Sequence, residues 1–133
     1  MASHSRPDIQ RIRQIAINVY DTNRAVTFYR DILGLKLLFS AGQLAFFDCG
    51  GVRLMLTPPS SKDFDHPSSI LYFKVDDIQK AHAWLLSQNV KTEGEPNLAA
   101  KMPDHDLWLT AFRDSEGNVM AFMAEVPHGE TSE

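Results

Sequence analysis

The chain has 133 residues, a formal net charge of −4 and one cysteine. That length suits one domain able to bury a core without disulfides or a structural metal, and the acidic balance, with no cluster of Lys or Arg on any segment, excludes a nucleic-acid surface. The lone Cys49 rules out an internal disulfide, no stretch reaches the roughly 18 apolar residues of a membrane span, and Met1 to Pro7 lacks the apolar run of a secretory signal, so the expected location is the cytoplasm.

Residues 1–10 are polar and patternless and are predicted to form a flexible tail. From Ile12 to Tyr20 the chain alternates, with Ile15, Ile17 and Val19 on one side and Gln14, Ala16 and Asn18 on the other, which predicts a strand. Asp21 or Thr22 then caps a helix whose apolar face is Ala25, Val26, Phe28, Tyr29 and Ile32, stopped by Gly34. Three short strands are predicted near 35–40, 43–49 and 52–57, turning at Ala41-Gly42 and Gly50-Gly51. A Pro-, Ser- and Asp-rich linker follows from Pro58 to Pro67. The pattern then begins again, with a strand over Ile70 to Val75 and a helix capped by Asp76-Asp77 that carries Ile78, Ala81, Trp84 and Leu85 and ends at Asn89. Extended segments are predicted near 90–95, 106–113 and 118–125, and 127–133 reads as a second flexible tail.

The two halves superimpose on each other as sequences. Aligning Val19-Tyr20-Asp21 with Val75-Asp76-Asp77 sets Ala25 against Ala81 and Phe28 against Trp84; aligning Gly51 with Gly117 sets Leu54 against Met120 and Leu56 against Phe122. The two alignments differ in register, which places an insertion around 96–105. The expected fold is therefore α+β, a single domain over 11–126, with module one at 11–58, a linker at 59–67 and module two at 68–126. Strand parity puts Val52, Leu54, Leu56, Leu71, Phe73, Val75, Met120, Phe122 and Ala124 under the helices. The opposite face carries Gln14, Ala16 and Asn18; Arg53, Met55 and Thr57; Ile70, Tyr72 and Lys74; and Val119, Ala121 and Met123. That mixture of polar, cationic and soft apolar groups suits a ligand groove. The other reading is a face that simply meets water.

The segments IAINVYDTNRAVTFYRDILGLKL and FRDSEGNVMAFM resemble the vicinal oxygen chelate superfamily, which includes glyoxalase I, extradiol dioxygenases, fosfomycin-resistance enzymes and bleomycin-resistance proteins. The matching motifs are the helix end with Phe28, Tyr29, Leu33 and Gly34, and the turn with Asp114, Gly117 and Asn118. The resemblance implies two tandem βαβββ modules forming a cupped mixed sheet, assembled as a homodimer. In metal-using members, His, Glu or Gln ligands come from the first and last strands of each module. Carried over by motif, those positions are Gln14, Met55, Ile70 and Ala121. Ile and Ala have no donor atom and a thioether is a soft ligand, so no metal and no cofactor is expected.

Among the remaining candidates, Arg53 and Lys74 fall by parity on the groove face of opposite modules, where two cations attract an anionic ligand, or else reach past the sheet rim to solvent. Tyr72 and Met55 beside them suit a flat or apolar body. Asp104-His105-Asp106 gathers ligand-type side chains and offers an acid–base pair, though such a run before a strand is commonly a polar turn. His82 reads as buried structure, Trp108 as core, and Cys49 as a small filler without a cation to favour its thiolate. The expected ligand-binding residues are Gln14, Asn18, Arg53, Met55, Tyr72, Lys74, Ala121 and Met123. The function read from the sequence is metal-independent binding of a small molecule in the sheet cup, with no nucleic-acid or membrane partner. The alternative is a glyoxalase-like lyase or isomerase, or a dioxygenase-type enzyme, working from a non-standard site around His105, Gln14 and Tyr72.

Overall fold

A computed structural model describes residues 6–129. Two four-stranded mixed sheets are each backed by a helical segment, an α+β fold of two tandem modules. In the first, β1 (Gln14–Asn18) leads into α1 (Thr22–Thr27), which passes into a π-helical turn (Phe28–Ile32) and then β2 (Lys36–Ala41), β3 (Leu44–Cys49) and β4 (Val52–Thr57). The linker holds one 3-10 turn (Lys62–Phe64). The second module runs β5 (Leu71–Lys74), α2 (Ile78–Ser87), β6 (Asn97–Lys101), β7 (His105–Arg113) and β8 (Val119–Pro127). Strand order is β1-β4-β3-β2 in one sheet and β5-β8-β7-β6 in the other, with β1 parallel to β4 and β5 parallel to β8. No helix among the described residues is long and apolar enough to cross a membrane.

Local chemistry accounts for the boundaries. Asp21 and Asp77 cap the two helices, each side chain accepting from the backbone N–H three residues on, at Arg24 and Lys80. Gly50 and Gly51 both have positive φ, 58° and 91°, which lets a two-residue turn join the Cys49–Val52 pair and closes the β3–β4 hairpin tightly. Parity is as the alternation indicates: Ile15, Leu54, Leu71 and Met120 are paired in register on the helix side, while Gln14, Arg53, Tyr72 and Ala121 lie on the opposite face. Both helices and both sheets feed one core, centred on Ile17, Tyr29, Phe47, Leu54, Leu85 and Phe112.

Three expectations are corrected. The segment predicted extended at 90–95 makes a single bridge, Thr92 to Phe112, and the strand itself is β6, inside the region assigned to an insertion. Gly94 and Pro96 break one edge strand in two, so the chain runs beside Ala111–Arg113, leaves, and rejoins β7 from Asn97 with a further register shift between Leu98 and Ala100. The first helix is not uniformly α-helical; Leu33 N–H reaches back five residues to Phe28 C=O. Finally, β8 continues to Pro127, paired with His105, so the tail expected from 127 begins later. Residues 1–5 and 130–133 of the two expected tails lie outside the described residues.

The modules are locked by the β7–β8 turn. The Asp114 carboxylate is buried and accepts from the Tyr29 hydroxyl at 2.6 Å, from the backbone N–H groups of Glu116 and Asn118, and from the Asn118 side chain. Asn118 in turn donates to Asn18 C=O. Next to it, the Glu116 side chain has no exposed surface, yet receives the backbone N–H groups of Tyr20 and Asp21, two guanidinium nitrogens of Arg24 and the Ser115 hydroxyl. Burial alone would raise its pKa; the Arg24 guanidinium, the two amides and Ser115 overcome that and hold it at about 2. Tyr29, buried against Asp114, is held well above the usual phenol range.

Glu116 is thus ionised in the folded state at pH values where an unfolded chain protonates it. A depressed folded value means its contribution is present above the ordinary carboxylate range, and is lost as pH falls from about 4.5 towards 2. Urea unfolding measured across that range is expected to show a steeper loss of stability for the wild type than for Glu116→Gln. At neutral pH Glu116→Ala, which strands Arg24 and two backbone amides, is expected to cost about 3 kcal/mol.

Candidate functional site

The face opposite the helices carries the candidate residues, divided between the two sheets. On the first, Gln14 and Arg53 are register partners, followed by Ala16 with Met55 and Asn18 with Thr57. The Gln14 carboxamide oxygen accepts from Arg53 Nε at 2.6 Å, and its nitrogen lies 3.7 Å from the Met55 sulfur. The Arg53 guanidinium carbon sits 5.5 Å from the centroid of the Phe46 ring. Phe46 is itself stacked on Phe39, centroids 4.6 Å apart and planes inclined by 26°. An aromatic pair, a thioether and a restrained guanidinium therefore form one continuous shelf across β2, β3 and β4.

On the second sheet Tyr72 pairs with Ala121 and Lys74 with Met123. Tyr72 is half exposed, whereas Ala121 is buried at 4 % and so forms floor rather than wall. Lys74 is not a free cation: its Nζ is 3.5 Å from Glu125 Oε1, and the other oxygen of Glu125 is 3.4 Å from His105 Nε2. His105 Nδ1 lies 2.6 Å from Asp104. The His105 hydrogen bond holds Asp104 below the usual carboxylate range. His105, Leu107, Leu109 and Ala111 share a face of β7 by parity, and Ala111 and Leu109 pair with Ala121 and Met123. His105 is thus on the open face of the second sheet, while Asp106 turns the other way to meet His128 at 3.1 Å. The Asp-His-Asp run is split by strand alternation.

Asn18 serves a different purpose from the one its parity suggests. Both hydrogens of its side-chain amide are donated to the linker, to Phe64 C=O at 2.7 Å and His66 C=O at 2.8 Å, and its backbone N–H goes to Ser68 Oγ. The linker is thereby pinned to the Asn18 end of β1. A cavity of about 350 Å³ opens between them, with Ala16, Met55, Thr57, Pro58 and Phe64 in its wall. A second, of about 500 Å³, lies on the module-two side of the linker beside His66, Arg113 and Asn118.

Strand parity located Gln14, Arg53, Met55, Tyr72, Lys74, Ala121 and Met123 on the face where they are found. It missed Phe39, Phe46 and Glu125. In Leu44-Ala45-Phe46-Phe47 four successive apolar residues hide the alternation, and only the pairing of Phe46 with Met55 and of Phe47 with Leu54 separates shelf from core. Cys49 is partly buried, and its thiol is raised by burial and by Asp48, which leaves it a filler. His82 is buried on α2 and Trp108 packs against the core.

With Asn18→Ala, the linker loses both side-chain anchors, each worth about 1 kcal/mol. Amide exchange over residues 64–68 is expected to accelerate by about tenfold or more, read by hydrogen–deuterium exchange, with β7 and β8 unchanged.

A family model described as Glyoxalase/Bleomycin resistance protein/Dioxygenase superfamily matches residues 11–122. Among curated proteins, the chain is 26% identical over 87 residues to metallothiol transferase FosB of Staphylococcus saprophyticus; the match takes in 62% of this chain but only 58% of that protein's length. It is 27% identical over 127 residues to an uncharacterised protein, YraH, of Bacillus subtilis, covering 83% of this chain and 94% of the other. The fold matches that of an antibiotic-binding protein, TnmS3, of a Streptomyces species, with TM-score 0.71, 20% identity, and 90% and 99% of the two chains covered. It also matches lactoylglutathione lyase of Agrobacterium tumefaciens, with TM-score 0.67, 21% identity, and 89% and 96% covered. With the family model spanning nearly all of both modules, the chain belongs to the Glyoxalase/Bleomycin resistance protein/Dioxygenase superfamily.

Proposed function

We propose that this protein binds a small molecule bearing a negative group, without a metal, in a cup formed by the open faces of its sheets. The observation that carries the reading is the chemistry of the four positions where metal-using relatives place ligands. Met55 offers a soft thioether; Ile70 and Ala121 offer nothing; and the one hard donor, Gln14 Oε1, is bonded to the Arg53 guanidinium. A cation at Gln14 would have to displace Arg53 and tolerate its charge. Among the described residues no three His, Cys, Asp or Glu side chains gather as a metal site elsewhere. The implied metal does not fit, and no step is assigned to one.

The cup is completed by a second copy of the chain. β1 and β5 are edge strands, each paired on one side alone. Val19 N–H goes to Thr57 C=O and Arg13 C=O accepts from Arg53, so the odd-numbered residues of β1 face β4, and Gln14 and Ala16 present their backbone groups to the open edge. Apposing β1 of one copy with β5 of another covers both edges and brings the Arg53 shelf towards Tyr72. The single thiol, raised by its surroundings, fits a reducing cytoplasm.

Equilibrium dialysis against Zn²⁺, Ni²⁺ and Mn²⁺, followed by metal analysis, is expected to leave well under one ion per chain after exchange into metal-free buffer. Sedimentation is expected to give a dimer. One retained ion per chain, abolished in Gln14→Ala, overturns the metal-free reading.

A second reading, a lyase, isomerase or dioxygenase-type enzyme with a non-standard site, is favoured by one observation. Asp104 fixes His105 on the ligand side of the second sheet, an arrangement able to hold and release a proton. Turnover of a 2-oxoaldehyde–glutathione adduct, lost in His105→Asn, would support it. An equal rate in that variant removes it.

A further inference from the structure

The cationic positions on the open faces are not equivalent, and the difference identifies the kind of ligand. Lys74 lies beside Glu125, and Arg113 beside Glu93 at 2.9 Å, so each of these cations already has a carboxylate. Asp48 is the register partner of Arg53, yet no carboxylate lies within ion-pair distance of the Arg53 guanidinium among the described residues. Its only hydrogen bond there is from Nε to Gln14, and neither Nη nitrogen has a partner. Arg53 therefore presents two unpaired nitrogens at the edge of an apolar surface.

Its orientation is also constrained. Gln14 holds Nε from one side, and the Phe46 ring lies against the guanidinium from another. A guanidinium held in this way loses little side-chain freedom on meeting an anion, and its paired Nη hydrogens match the two oxygens of a carboxylate. Next to it lie the stacked Phe46 and Phe39, the latter 51% exposed, and the Met55 sulfur. These surfaces take a flat unsaturated body and offer a polar substituent no partner.

Resting on the cup reading above, we infer that the ligand is a planar aromatic acid, its carboxylate bound end-on by Arg53 Nη1 and Nη2 and its ring laid across the edges of the stacked Phe46 and Phe39 and the Met55 sulfur. In this assignment Gln14, at a position the superfamily gives to a metal ligand, is a positioning residue. It aims a guanidinium that supplies the positive charge a metal would otherwise provide.

The test uses three fragments on the full chain: 2-naphthoate, neutral 2-naphthamide and non-aromatic cyclohexanecarboxylate, titrated by two-dimensional NMR. 2-Naphthoate is expected to shift resonances of Phe46, Arg53 and Met55, with the amide and the non-aromatic acid each at least tenfold weaker. Arg53→Gln is expected to weaken 2-naphthoate at least tenfold while leaving 2-naphthamide unchanged, which separates lost charge recognition from a damaged fold. Gln14→Glu, which sets a carboxylate beside Arg53, is expected to weaken the acid and spare the amide; Gln14→Met, which keeps the volume and removes the acceptor, should weaken the acid by a smaller factor. If 2-naphthamide binds the same residues as tightly as 2-naphthoate, the acid assignment is wrong and the cup still binds small molecules. If neither fragment perturbs the first sheet, the shelf is not a ligand surface and both readings fall.

Discussion

The fold depends on two carboxylates in one hairpin turn. Asp114 and Glu116 reach out of module two and satisfy groups of module one: the Tyr29 hydroxyl, the amides that open α1, and Arg24. Buried carboxylates are costly unless every oxygen is engaged, and here each accepts several donors. The result is a junction in which hydrophobic burial supplies attraction and the turn supplies geometry. With the junction fixed, β1 stands where its Asn18 end meets the linker, and the open faces of the two sheets take their positions.

The same reasoning explains two sequence motifs that otherwise look unrelated. The aromatic pair near the end of the first helix supplies Tyr29, whose ring packs against Phe28 and Phe47 and whose hydroxyl meets Asp114. In the later turn, Gly117 takes φ 84° so that Asn118 can fold back onto Asp114 and across to Asn18. Residues that sit 85 positions apart form one hydrogen-bonded unit.

Much of this was legible in the chain itself, because period-two alternation and helix caps are local signals. Gln14, Arg53, Tyr72 and Met123 could be assigned a face from the alternation of their strands alone. The signal failed where apolar residues run together, as in Leu44 to Phe47, and where an edge strand is built from Asn97-Leu98-Ala99-Ala100-Lys101, with little β propensity and a proline before it. It also could not show that Asn18 is committed to linker carbonyls, or that Lys74 and Arg53 differ in having a carboxylate nearby. Partners from distant segments leave no periodic trace, and they decide which polar groups on the open faces remain unpaired.

The placement of Glu116 also orders events as the chain is made. α1 is six residues long, too short to persist as an isolated helix, and Glu116, which accepts from the backbone N–H of its capping residue Asp21, lies 95 residues further along. As the polypeptide leaves the ribosome, module one emerges complete in sequence but with its helix unfinished at the start. Its capping amides and the Arg24 guanidinium meet their acceptor only once the β7–β8 hairpin has been synthesised.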